Sequence, residues 1–313
     1  MVSTMTLEQL RVFVAVAERQ HVTRAAEALN IAQSAASASI AALEGRHGAK
    51  LFHRAGRGIE LTEAGALFLT EAQAVLARAA AAELVLSELG GLKRGTLLVQ
   101  ASQTIASYWL PRHLVAFRRT YPGVDIRLAV GNTAQVAAAV HEGLAELGFV
   151  EGAVDDPTLE SRKVARDHLV IVVGPDHPWV QVGSQAGATR GTVTPACLAE
   201  SDWVLREAGS GTRSVFEAAL EGFGIAPSSL RVALDLPSNE SVRAAVEAGM
   251  GATAISASAA APSIEAGLLH AVDLALPAGR SASVCERDFH VLRHTERYRS
   301  RAADALLSII ADG

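Results

Sequence analysis

Four places in the second half of this 313-residue chain set small hydroxyl, amide and glycine residues directly behind an apolar run. Ala101-Ser102-Gln103-Thr104 follows Leu97-Leu98-Val99-Gln100, and Gly131-Asn132-Thr133 follows the run ending at Val130. Arg206-Glu207-Ala208-Gly209-Ser210-Gly211-Thr212-Arg213 follows Trp203-Val204-Leu205, and Pro237-Ser238-Asn239-Glu240 follows the run ending at Leu236. A helical pattern comes after each. In open α/β sheets ligands bind beyond the carboxyl ends of strands, where helix N-termini offer free N–H groups. Such groups, with hydroxyls beside them, favour an anion. Gly209-Ser210-Gly211 is flexible enough for a backbone nest, and Arg206 or Arg213 can add full charge. Any one cluster is equally an ordinary helix N-cap. Their convergence in two lobes of one fold is what points to an anion pocket.

The chemistry of the first sixty residues is of a different kind. Leu10, Phe13, Val14 and Ala17 form a helical stripe. Thr23 is placed to cap a short second helix over 24–29. A third helix over 33–43 turns Ala36, Ile40 and Leu43 inward and Gln33, Ser34 and Ser37 outward. Two short helices at a tight turn, the second showing small polar residues, describe a helix-turn-helix. That geometry lays the second helix in a DNA major groove, where Gln33 reads base edges and the serines meet bases or phosphate. Leu51-Phe52-His53-Arg54 and Ile59-Glu60-Leu61-Thr62 read as a two-stranded wing, with Arg54 and Arg57 toward phosphates. A three-helix bundle for protein contacts remains the alternative. The charge of this part, seven Lys/Arg against five Glu, is modest for a DNA module.

These sites need elements to hold them. A long helix from Glu63 to Leu89 carries Phe68, Ala72, Val75, Ala79, Ala82, Leu86 and Leu89 at spacings of 4 and 3, a heptad seam. The seam predicts pairing with a second copy of the chain, the alternative being packing on its own domain. Gly90-Gly91-Leu92-Lys93-Arg94-Gly95 ends the helix, and Val/Ile/Leu runs then alternate with amphipathic stretches in the manner of a parallel α/β sheet.

Half of the residues are hydrophobic, which excludes a disordered chain, and a net charge of −5 excludes a generally basic nucleic-acid coat. Two cysteines, Cys197 and Cys285, are too few for a disulfide framework and point to a reducing compartment. Glu8 and Arg11 interrupt any signal-peptide core, and no apolar run of spanning length occurs. The expectation is a cytoplasmic protein without a membrane partner.

Thr6 to Gly65 resembles the LysR-type transcriptional regulators. The resemblance rests on Leu7-x-x-Leu10-x-x-Phe13, Thr23-Arg24-Ala25-Ala26-x-x-Leu29, Gln33-x-x-x-Ser37-x-x-Ile40-x-x-Leu43-Glu44, Leu51-Phe52-x-Arg54 and Leu61-Thr62-x-Ala64-Gly65. The rest of the chain matches the family's layout. The resemblance implies an α/β protein with an all-α N-terminal part. A winged helix-turn-helix DNA-binding domain would cover 1–62, a linker and dimerisation helix 63–94, and a two-lobed, periplasmic-binding-protein-like effector domain 95–313. Lobe I would take 96–164 and 268–313, and lobe II 165–267. DNA-binding residues would be Thr23, Arg24, Gln33, Ser34, Ser37, Arg54 and Arg57. Ala38, Ala41 and Ala42 stand where the family often has Arg or Lys, which shifts phosphate binding toward Arg24, Arg54 and Arg57.

The resemblance also implies that Ser102, Thr104, Asn132, Thr133, Glu151, Arg206, Ser210, Gly211, Thr212 and Asn239 line the inter-lobe cleft. Ser102-x-Thr104 with Tyr108-x-Leu110-Pro111 looks like the subgroup regulating sulfur assimilation and carbon fixation, so sulfate, sulfite or a phosphorylated metabolite fits. Glu151 would repel such an anion unless Arg206 or a similar cation offsets it. Implied partners are promoter DNA, the effector and further copies of the chain as dimer and tetramer, with no cofactor and no metal.

Enzyme readings fail on their residues. Gly209-Ser210-Gly211 lacks the outer glycines of a nucleophile elbow. Gly249-Met250-Gly251-Ala252-Thr253-Ala254 lies between a helical run and a strand, the reverse of a dinucleotide turn. His290 and His294 on a strand lie about 13 Å apart, and no Cys/His group has zinc spacing. A solute-binding module whose helical head meets another protein is the remaining alternative.

Overall fold

The computed structural model describes residues 5–55, 58–88, 95–152, 154–180, 191–274 and 286–313. The chain divides into two compact units, residues 1–91 with 142–144 and residues 92–141 with 145–313. In the first, Thr6 and Gln9 form a capping box that starts α1 (Leu7–Arg19). Leu10, Val12, Phe13, Val16 and Ala17 are buried, with Phe13 tilted between Phe52 and Phe68 at centroid distances of 5.4 and 4.8 Å. The second helix, α2, is Val22–Ala28, and its N-cap is His21, whose Nδ1 accepts from Arg24 N–H at 3.4 Å. Thr23 therefore lies inside the helix and does not cap it. The imidazole takes the capping role that residue type had suggested for the hydroxyl.

Asn30 adopts a left-handed φ of 55° in the turn, a conformation that asparagine tolerates. The helix after it, α3 (Gln33–His47), runs four residues past the expected Leu43 and ends at Gly48, φ 64°. The extra turn carries Glu44, which fastens α3 to the wing. Its Oε1 accepts from Leu51 and Phe52 N–H at 2.9 and 3.3 Å, and Lys50 meets Oε2 at 2.6 Å. The wing is the antiparallel pair β1 (Phe52–Ala55) and β2 (Gly58–Leu61).

The long helix α4 (Glu63–Glu88) uses its seam in two ways. Phe68 and Ala72 pack into the cluster of Leu10, Phe13, Leu43 and Leu51. Further along, Val75 and Leu86 are 43% and 70% exposed. The expected single seam is thus divided: its start belongs to the head's own core and only the later positions face outward. Leu89 lies outside the described residues.

Among the described residues the second unit holds ten strands. In one sheet β4 (Val124–Gly131), β3 (Gly95–Ser102) and β5 (Leu147–Glu151) are parallel, and β12 (Glu286–His294) runs antiparallel between β5 and β6. The fifteen-residue β6 (Leu159–Val173) continues into the other sheet, where β10 (Ala252–Ser256) joins it antiparallel. There β10, β8 (Asp202–Arg206) and β9 (Arg231–Leu236) are parallel. Leu97, Phe117 of α5 (Leu110–Thr120), Phe149, Val291 and Leu306 pack the first lobe, and Ile171, Val173, Trp203, Phe216 and Leu220 the second.

The return to the first lobe comes later than position 268. The strand β11 (His270–Leu274) pairs with the distal half of β6 and with β7 (Gly191–Val193), so it belongs to the second lobe. The apolar Leu268-Leu269 run is compatible with either sheet, and hydrogen-bonding edge, not hydropathy, decides. Among the described residues no helix is long and apolar enough to cross a membrane.

Burial pushes the Glu44 carboxyl up, but Lys50 and the two backbone donors outweigh it and hold the group below its ordinary value. The stabilisation is present above the ordinary carboxylate range and is lost as pH falls through the depressed value. Glu44→Ala should cost the head about 1.5–3 kcal/mol near neutral pH, read by thermal unfolding, with the difference shrinking in acid.

Candidate effector cleft and DNA-reading face

The four polar clusters sit at the carboxyl ends of β3, β4, β8 and β9, and the two lobes touch through them. From the first lobe, Gln103 and Thr104 lead into a π-helical stretch, Ile105–Trp109, of a kind frequent at functional sites. Asn132 and Thr133 open α6 (Thr133–Glu142). From the second lobe, Ser210 precedes α7 (Gly211–Gly222) and Ser238 caps α8 (Asn239–Glu247).

A continuous network links them. Asn239 donates to the Thr104 hydroxyl at 3.0 Å and accepts from Arg206 Nη1 at 2.7 Å. Arg206 holds Glu207 with two bonds, at 2.7 and 2.9 Å, and Asn132 Nδ2 donates to the same carboxylate at 3.3 Å. Burial raises the Glu207 carboxyl's pKa, but Arg206 foremost, with Asn132, brings it below the ordinary value. At the rim Gln103 accepts from Asn239 N–H at 2.7 Å, and Glu240 accepts from Gln103 and Tyr108. Burial and then the Glu240 charge push the Tyr108 phenol up.

Arg287 lies beneath this network. Its side chain is 1% exposed and donates twice to Asp167 Oδ2, at 2.8 and 2.7 Å. Nη1 reaches Thr212 at 2.9 Å, and Nη2 reaches Thr104 at 3.5 Å and stands 3.8 Å from Glu151. The cation expected to offset Glu151 is therefore Arg287, while Arg206 is committed to Glu207. Arg213 faces its own lobe, bonded to Glu217 and Asp235.

One cleft side chain has no completed bonding: Ser102 is 3% exposed, and its hydroxyl has no hydrogen-bond partner. Ser210 is 2% exposed and makes no side-chain cap at α7. Ser102, Thr104, Glu151, Arg206, Ser210, Thr212 and Asn239 are all buried, and Asn132 and Thr133 half-buried.

In the first unit Arg24, Gln33, Ser34 and Arg54 are exposed and Ser37 half-buried. Gln33 Nε2 donates to Ser37 Oγ at 2.8 Å, so these two side chains of α3 are bonded to each other. Arg54 projects from β1 opposite Ile59. Arg57 lies outside the described residues. His/Cys/Asp/Glu groups able to hold a metal are absent among the described residues.

Two family models cover nearly the whole chain. Residues 7–66 match the bacterial regulatory helix-turn-helix protein model of the lysR family, and 90–313 match the LysR substrate binding domain. The chain belongs to the LysR family. A "Probable RuBisCO transcriptional regulator" of Nostoc sp. is 31% identical over 303 residues, 96% of this chain and 86% of that one. Full-length CbnR complexed with its target DNA is similar at TM-score 0.69 and 22% identity, covering 98% of this chain and 99% of that one. The Synechocystis CcmR regulatory domain in complex with 2-PG is similar at TM-score 0.60 and 23% identity, covering 70% and 97%. This LysR-family chain is a transcriptional regulator with a DNA-binding head and an effector-binding half, and it is not an enzyme.

Sequence reasoning missed Arg287 and Asp167 as cleft residues. A signal existed for Arg287. It shares the buried face of β12 with Phe289 and Val291, so the two-residue alternation puts a cation where hydrophobic residues belong. Arg287→Ala should destabilise the effector half by about 3–5 kcal/mol, because Asp167 is left buried and unpaired. Thermal unfolding checks this, and Arg287→Met combined with Asp167→Leu should recover much of the loss.

Proposed function

We propose that the cleft binds a small anionic or phosphorylated metabolite and that its occupancy alters how the heads engage promoter DNA. The observation that carries this is the buried, unpartnered Ser102 hydroxyl at the meeting point of four strand ends, with Arg206 and Arg287 both buried there. Ser102, Thr104, Asn132, Thr133, Ser210, Gly211, Thr212 and Asn239 supply hydroxyls, amides and helix N-terminal donors around it. The 2-PG of the CcmR complex is of this chemical class, a phosphorylated acid. The exposed later part of α4, with Val75 and Leu86, pairs with a second copy, and two such pairs make a tetramer. On DNA, Gln33, Ser34 and Ser37 face base edges, while Thr23, Arg24, Arg54 and Arg57 face phosphates. The protein acts in the cytoplasm, where that DNA lies.

Ligand binding shifts the equilibrium between lobe arrangements only by its differential contacts, and the shift reaches the heads as a change in half-site spacing. A thermal-shift screen of phosphate, sulfate, sulfite and 2-PG tests the cleft, since a bound ligand raises stability by mass action. A hit should be weakened about tenfold by Thr104→Ala, with DNA binding in the absence of effector unchanged. No shift with any anion refutes the assignment. For the head, Arg54→Ala should lower affinity for a promoter fragment across sequences and reduce the log–log salt slope by about one, measured by fluorescence anisotropy.

A further inference from the structure

Glu151 ends the wholly buried strand β5 and is itself 3% exposed. The other cleft charges are matched, Arg206 by Glu207 and Arg287 by Asp167. Glu151 is not. Its Oε2 lies 3.5 Å from the Thr133 hydroxyl oxygen, which is equally distant from the Glu151 carbonyl and has a single proton to give. Its Oε1 lies 3.8 Å from Arg287 Nη2, which makes its short bond to Asp167. Among the described residues, then, this carboxylate accepts no hydrogen bond shorter than the 3.5 Å contact from Thr133. An ionised carboxylate only accepts hydrogen bonds, and burying it without a donor is costly. The Ser102 hydroxyl, unpartnered, ends the neighbouring parallel strand β3. The first turn of α7 rests on Glu151 too: a Cβ at Gly211 would lie 3.1 Å from the Glu151 Cβ.

We propose that Glu151 is a specificity-determining residue that accepts a hydrogen bond from a proton carried by the effector's own oxyanion. This rests on the anion reading above and narrows it. The cleft takes an oxyanion that keeps a proton, such as hydrogen phosphate, hydrogen sulfite or a singly protonated phosphate monoester. It rejects a fully deprotonated one such as sulfate, which would set lone pairs against the buried carboxylate. Sites built around a hydrogen bond to the ligand discriminate strongly against analogues lacking the donor.

Calorimetric titration of the full-length protein with potassium phosphate and potassium sulfate, at mildly acidic pH and equal ionic strength, tests this. The two ions share a tetrahedral shape, and only phosphate carries a proton there. Wild-type protein should prefer phosphate by about 100-fold. Glu151→Gln, whose amide can donate, should bring sulfate to within about threefold of phosphate. Equal affinity for the two ions in wild-type protein overturns this inference alone and leaves the anion reading standing, and that comparison needs no variant to fold. A phosphate preference that survives in Glu151→Gln overturns the role of Glu151. Binding of neither ion by either protein brings down the anion reading and this inference with it.

Discussion

A single buried guanidinium sets the terms for the effector half. Arg287 and Asp167 are register partners on β12 and β6, where the chain crosses between lobes, so their ion pair is built into the sheet itself. From that fixed point Arg287 reaches Thr104 in one lobe and Thr212 in the other. A guanidinium's planar fork fixes directions as well as distances. Any rotation of one lobe against the other must therefore break a bond at one threonine or the other while the ion pair persists. The desolvation of Arg287 is tolerated only because Asp167 is beside it in sequence-fixed register, with Ser256 donating to the carboxylate's other oxygen at 3.0 Å.

Charge is distributed with the same economy along the whole chain. The net −5 combines +2 over residues 1–60 with −7 over 61–313. A head of +2 has few phosphate contacts to give, and Ala38, Ala41 and Ala42 remove three positions that could have supplied more. Each neutralised phosphate contributes a salt-dependent increment to affinity, and a head of this charge has little of it to offer. The division of the α4 seam answers this. Phe68 and Ala72 anchor the helix to its own head, which leaves Val75 and Leu86 at its far part for another chain. Binding through linked heads multiplies modest affinities without new contacts.

Elements with a strong period were legible in the sequence. The stripe Leu10, Phe13, Ala17 and the clusters at the ends of β3, β4, β8 and β9 needed only spacing and residue type, because helix faces and strand ends are local properties. What escaped depended on partners far apart in the chain. His21 displaced Thr23 as cap because an imidazole nitrogen can accept as a hydroxyl does, although type preference alone favours the hydroxyl of threonine. The strand β11 could not be assigned to a lobe without knowing that β6 runs through both sheets. Arg287 and Asp167 are 120 residues apart, and no local pattern pairs them.

The glycines of the Arg206–Arg213 segment turn out to serve the approach of the two lobes more directly than the wrapping of an anion. Gly209 takes a left-handed φ of 87° and offers its carbonyl to Ala134 N–H at 3.3 Å, across the cleft. At Gly211 an added Cβ would lie 2.6 Å from the Thr133 hydroxyl and 2.8 Å from the Glu151 carbonyl, so any side chain there forces the lobes apart. The bonds that hold the cleft together, Asn132 to Glu207 and Gly209 to Ala134, are thus made by the same groups that would meet a ligand. The proposed anion would meet the free Ser102 hydroxyl and otherwise compete for donors already in use. The lobe arrangement it left would be set by which of those bonds it replaced and which it could not.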